Sequence, residues 1–181
     1  MKIINPSVMH KLPNGIPEGD NVIKSEIYYE DVKHLYENPR SDNPLMYEVY
    51  RYSEGEDVKG NLNWGLTILK PILSNHECNM TKGHFHKDRD CAEYYFCIKG
   101  EGLLMFLDED GNTWAEKMEE GSLHHIDGKY GHRTINTSDS EELWVGACWP
   151  TSAGYDYAVI QEKDFGYRVK NIDGEIVCEE K

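Results

Sequence analysis

The chain has 181 residues, with 33 acidic against 19 basic side chains and a formal net charge of -14. A sequence pI near 4.9 argues against a nucleic-acid partner or an anionic membrane surface, and an anionic small ligand then needs a locally positive pocket. No apolar stretch reaches bilayer length and residues 1–15 contain no apolar core of signal-peptide length, which predicts a cytoplasmic protein with no membrane partner.

That length suits one domain with decorated ends. Residues 1–45, with Asn14-Gly15 and scattered prolines, are expected to form an arm outside the core, carrying a helix over Ser25–Tyr36. From Met46 the pattern becomes strand-like: Met46–Tyr52, Trp64–Leu69, Cys78–His86, Ala92–Ile98 and Gly102–Leu107. Trp114–Met118, Leu123–Ile126, Arg133–Asn136 and Leu143–Trp149 continue it. Turn signals at Lys99-Gly100-Glu101-Gly102 and Asp108-Glu109-Asp110-Gly111-Asn112 separate neighbouring strands. Regularly spaced short strands of this kind predict an all-β sandwich or barrel over residues 46–169, with Tyr157–Val169 covering an edge or a barrel mouth. Residues 170–181 read as a final hairpin or a loose tail.

The cysteines (Cys78, Cys91, Cys97, Cys148, Cys178) form an odd set without a C-x-x-C pair. Neither a disulfide framework nor a structural zinc knuckle is indicated, and Cys91 and Cys97 read as small core residues.

The chemistry is concentrated in His84, His86, Glu93 and His132. On a strand, residues i and i+2 project from one face, so His84 and His86 can converge on one ion while Phe85 points into apolar packing. Three neutral imidazoles and a carboxylate suit a divalent transition metal and leave positions open for a substrate. Glu93, Tyr95 and Cys97 share a face, and alternation carries Lys82 inward with the two histidines. His124 and His125 are adjacent, face opposite ways and are left out of the site, while His10, His34 and His76 read as surface residues.

These two regions resemble the motifs of the cupins, double-sheet β-barrels that hold a metal between strands. The first runs Gly83-His84-x-His86, Glu93, Gly100; the second has Gly121, His132 and Asn136, with Asp127 and Lys129 where proline and glycine are usual. The string Thr81-Lys82-Gly83-His84-Phe85-His86 followed by Ala92-Glu93-x-Tyr95 resembles the cupin-type glucose-6-phosphate isomerases of archaea and some bacteria. The likeness extends through Tyr47-Glu48-Val49-Tyr50, Gly60-Asn61-Leu62-Asn63, Thr67, His132-Arg133-Thr134-x-Asn136 and Ala153-Gly154-x-Asp156-Tyr157. Trp149 and Tyr155 depart from it, standing where members have tyrosine and histidine.

The resemblance implies a jelly-roll-like cupin barrel, a homodimer, and one divalent transition metal per subunit, iron first, with nickel, cobalt, manganese or zinc as alternatives. It implies interconversion of glucose 6-phosphate and fructose 6-phosphate in glycolysis and gluconeogenesis, with Glu93 as both ligand and proton carrier and Tyr95 beside it, a metal-directed hydride shift being the alternative. The sugar phosphate would be held by Tyr47, Thr67, Thr81, the Gly83 N–H, Tyr155 and Tyr157. Other readings are an isomerase for a different sugar, an iron- and oxygen-using cupin dioxygenase, and a metal-free sugar-binding or sensory cupin. The dioxygenase shares the ligands but gives no reason for the Thr67 and Tyr157 regions.

Overall fold

Period-two alternation of apolar and polar residues sets up two antiparallel sheets that close face to face. The structure, a computed structural model, describes residues 9–11 and 15–181, so the surface position expected of the His10 side chain falls outside what is described. Its strands are β1 (Met9–Lys11), β2 (Ile16–Glu18), β3 (Val22–Tyr28), β4 (Leu45–Ser53) and β5 (Leu62–Leu69). Next come β6 (Leu73–Ser74), β7 (Glu77–Met80), β8 (Glu93–Lys99), β9 (Glu101–Leu107) and β10 (Thr113–Glu119). The series ends with β11 (Leu123–Ile126), β12 (Gly131–Asn136), β13 (Leu143–Pro150), β14 (Tyr167–Ile172) and β15 (Glu175–Glu180). Helices are short: α1 (Tyr29–Val32), followed by a 3₁₀ turn at Lys33–Leu35, and α2 (Ala158–Lys163).

One sheet has the order β11-β8-β13-β5-β4-β3, and the other β10-β9-β12-β7-β14-β15 with β6 paired to β7. Between them lies the main core, including Met46, Leu69, Phe85, Cys97, Leu104, Phe106, Ile126, Ile135 and Val145. On β8, Glu93 and Cys97 are buried while Tyr94, Phe96 and Ile98 are exposed on the outer face. This is the double-sheet barrel expected from the strand pattern. The cysteines are all free thiols, and Cys91 and Cys97 are buried as expected.

Two local expectations change. Ser25–Tyr28 is not helical but the end of β3, which pairs with β4 from Val22↔Tyr52 to Ile27↔Tyr47. Tertiary pairing of the strand that carries Ile23, Ser25 and Ile27 on one face overrides the local helical signal. The helix begins only at Tyr29, where the Asp31 carboxylate accepts the Tyr28 N–H at 2.9 Å. The strand expected over Cys78–His86 stops at Met80, because Gly83 takes a left-handed φ of 75°. Pairing resumes as isolated bridges, His84 to His132 and Phe85 to Asp156. At the end of the chain the hairpin alternative forms, beginning at Tyr167 instead of residue 170. Residues 167–180 form the β14–β15 hairpin over Asp173-Gly174, both at positive φ, and β14 extends the β7 sheet at Lys170↔Glu77.

Candidate metal centre and cavity

The kink at Gly83 aims the two histidines. After it, Phe85 is buried against Gly131, where an added Cβ would lie 2.5 Å from the ring. Phe85 also exchanges backbone hydrogen bonds with Asp156 at 3.1 and 2.8 Å. With Phe85 fixed inward, His84 and His86 leave on the other side. Glu93 comes from the first residue of β8 and His132 from β12 in the opposite sheet.

One ligand atom from each of His84, His86, Glu93 and His132 lies within 4.8 Å of the others. Glu93 Oε1 stands 3.0 Å from His86 Nε2 and 2.8 Å from His132 Nε2. Two donors about 2.1 Å from one ion and at right angles stand about 3 Å apart, so this spacing fits a metal. His86 Nδ1 donates to the Cys91 carbonyl at 2.7 Å, which leaves the Nε2 lone pair facing Glu93 in the neutral ring. His84 Nε2 is buried with no hydrogen-bond partner. Lone pairs facing a carboxylate, plus an orphaned buried nitrogen, are a donor set that a cation satisfies.

Burial holds His84 well below the ordinary histidine value, in the neutral form a ligand needs. Burial also pulls His86 down, but its contacts with Glu93 and the Cys91 carbonyl outweigh it and the net shift is upward. For Glu93, burial would raise the carboxyl. When the rings carry their second proton, charge on His132 and hydrogen bonds from His132 and His86 instead hold it well below the usual carboxylate range. Tyr95 is raised well above the ordinary phenol value by burial and then by the Glu93 charge, so it stays a neutral hydroxyl, 3.4 Å from His132 Nε2.

A cavity of about 370 Å³ opens onto this group. His84, Glu93, Tyr95 and His132 line one end, and His86 is buried beside them. Tyr47, Thr67, Thr81, Gly83, Tyr155 and Tyr157 line it as well, so every residue picked from the sequence is brought to one place. The Thr81 hydroxyl oxygen accepts the Thr134 N–H at 3.1 Å, and the Tyr47 hydroxyl oxygen accepts the Lys82 N–H at 3.5 Å. Tyr155 meets His84 edge-on at 4.9 Å and stacks on Tyr157 at 6.0 Å. Burial pushes the Tyr155 hydroxyl up to about 12.

Ile23, Ser25, Ile27, Val49 and Arg51 also line the cavity. Arg51 and Val49 were readable by alternation from Tyr47 along β4, whereas Ser25 and Ile27 were hidden by the helical expectation and Ile23 by the expected arm. His124 is engaged elsewhere, by Ser122 at 2.8 Å and Glu116 at 2.6 Å.

Barrel and donor set together define a cupin with a four-residue group able to hold a metal ion. A solved oxalate oxidase structure shares the fold, with a TM-score of 0.50 and 14% identity over 68% of this chain and 61% of that one. The family model for glucose-6-phosphate isomerase (GPI) matches residues 18–181. The glucose-6-phosphate isomerase of Thermococcus litoralis is 35% identical over 84% of this chain and 80% of its own length. That of Thermococcus onnurineus is 38% identical over 82% and 77%. A putative glucose-6-phosphate isomerase 1 of Rhizobium meliloti is 30% identical over 73% and 60%. The chain belongs to the glucose-6-phosphate isomerase family, in its cupin-type form.

Proposed function

We propose that this enzyme interconverts glucose 6-phosphate and fructose 6-phosphate with a divalent metal held by His84, His86, Glu93 and His132. One observation carries the reading: a single cavity joins the four-donor group to the hydroxyls of Thr67, Thr81 and Tyr157 and the turn at Gly83. A bound divalent ion supplies Lewis acidity toward the two sugar oxygens whose charge changes.

The chain's own groups do the rest. Glu93 Oε1 takes both imidazole contacts, and Oε2 makes no hydrogen bond among the described residues. That ionised oxygen accepts the proton from C2 and returns it to C1, while the hydroxyl proton on O2 passes to O1. Atoms and charge balance, and no oxidant is needed. Tyr95, kept protonated, donates a hydrogen bond at the same end. The hydroxyls and the Gly83 N–H suit a phosphate dianion, and Lys82 and Arg51 give the cavity positive charge inside an acidic chain.

Iron is the proposed ion, with nickel, cobalt, manganese and zinc as alternatives that the same N₃O set accepts. The proposed assembly is a homodimer formed on the outer face of the β8 sheet, where Tyr94, Phe96, Ile98 and Leu123 are exposed. No helix among the described residues is long and apolar enough to cross a membrane. The proposed compartment is the reducing cytoplasm, consistent with five free thiols.

A coupled assay of fructose 6-phosphate turnover tests this reading. Activity that disappears on chelation and returns with iron, nickel or manganese is the expected result. Inactivity with every reconstituted metal would overturn it, and oxygen consumption would favour the dioxygenase.

A further inference from the structure

A second cavity of about 500 Å³ lies beside the first and shares with it only Lys82, Gly83 and Tyr157. Its wall carries Lys82, Arg133, Arg168 and Lys181 against one carboxylate side chain, Asp164. Lys181 is committed to Asp164 at 2.5 Å. Lys82 and Arg133 have no carboxylate partner among the described residues, in a chain whose net charge is -14.

Arg133 is 1% exposed. Its Nη2 donates to the Lys82 carbonyl at 2.8 Å, Nη1 meets only the Met80 sulfur at 3.3 Å, and Nε has no partner. The guanidinium lies 4.3 Å from the centre of the Phe165 ring. Arg168 is held loosely: its Nε is 3.8 Å from both Glu37 and Glu77, and its buried Nη1 has no partner. A buried guanidinium whose carboxylate neighbour in the wall, Asp164, is already bound to Lys181 is costly, and a planar guanidinium with free N–H groups matches an oxyanion.

We propose that Lys82, Arg133 and Arg168 form a second anion site that takes a small oxyanion of the phosphate class, separate from the sugar-phosphate subsite. Arg133 and Arg168 do not line the first cavity, and Thr67 and Glu93 do not line the second. The occupant would sit against the guanidinium that holds the Lys82 carbonyl, next to the turn at Gly83. Inorganic phosphate and the phosphate end of a small ester share the required chemistry.

Equilibrium dialysis of the full chain with labelled inorganic phosphate, at saturating fructose 6-phosphate to fill the first cavity, provides the test. One equivalent per chain should remain bound, and Arg168→Gln should weaken it by about tenfold or more, the loss of a hydrogen bond to a charged group. Thr67→Ala should leave it unchanged. If Arg168→Gln does not fold, Lys82→Gln, at a half-exposed position, should give the same loss. Displacement of the label by glycerol 3-phosphate would show that esters enter; resistance to it would restrict the site to the free ion. Complete displacement of the label at the fructose 6-phosphate concentration that just saturates turnover, or retention unaffected by either variant, would overturn the second site. Loss of fructose 6-phosphate competition everywhere, with the retained equivalent intact, would instead count against the isomerase reading alone.

Discussion

The His86 ring and the Cys91 carbonyl are 2.7 Å apart, and this one hydrogen bond fixes which imidazole nitrogen faces Glu93. Cys91 acts through its backbone, so the contact survives any side chain there that fits. The loop between them brings His86 and Glu93 to 3.0 Å despite their separation in the chain.

His84→Ala removes the nitrogen that has no protein partner, so it should fold and lose bound metal. Elemental analysis after reconstitution should show a clear drop from one ion per chain; unchanged content would mean that the ion sits elsewhere.

Glu93→Gln keeps the shape but removes the basic oxygen. With metal occupancy confirmed, kcat should fall on the order of 10² to 10⁴, much more than apparent affinity changes. A near-normal kcat would assign the hydrogen movement to a direct shift from C2 to C1.

Thr67→Ala and Tyr157→Phe each remove a hydrogen bond to a charged phosphate, worth roughly 1.5 to 3 kcal/mol. KM should rise about tenfold to a hundredfold with metal content normal. Equal losses for a sugar without its phosphate would place these groups at the other end of the substrate.

Gly83→Ala should damage fold and site together. Its Cβ would meet the Phe165 ring at 2.9 Å and the His132 carbonyl at 3.0 Å, at a φ of 75°. Left-handed backbone alone costs about 1 to 2 kcal/mol for a residue with a side chain. A thermal midpoint equal to wild type would show that the turn has another route.

Acid should destabilise the fold partly through Glu48, which contacts Lys24 at 2.6 Å and Lys70 at 3.0 Å. Burial would raise its carboxyl, but the two ammonium groups hold it below the ordinary value. Stability from a depressed carboxylate is full above the unfolded value of about 4.3 and is lost as pH falls through the folded one. Denaturant titrations from about pH 6 down to 3 should show a shallower decline for Glu48→Gln; an identical slope would remove this cluster from the acid response.

The sequence revealed most strands, and His84, His86 and Glu93 of the candidate metal group, because these depend on short-range pattern, whereas His132 is distant in the chain and joins them through the pairing of the sheets. His84-x-His86 and Glu93-x-Tyr95 each follow period-two alternation, and Gly100 and Gly111 punctuate the hairpins. The β3 strand was hidden because its pairing with β4 is a tertiary event. The break at Gly83 was hidden because its positive φ interrupts the alternation used to orient Lys82. The second cavity draws on residues as distant as Lys82 and Lys181, and no local pattern announces such a meeting.

Glu93 belongs to the sheet of β8 and His132 to that of β12, with His84 and His86 on the segment between β7 and β8. An ion bound by all four therefore rivets the two layers at one end. Amide exchange in β8 and β12 should slow together on metal loading, and the far edge at β15 should keep its own pace.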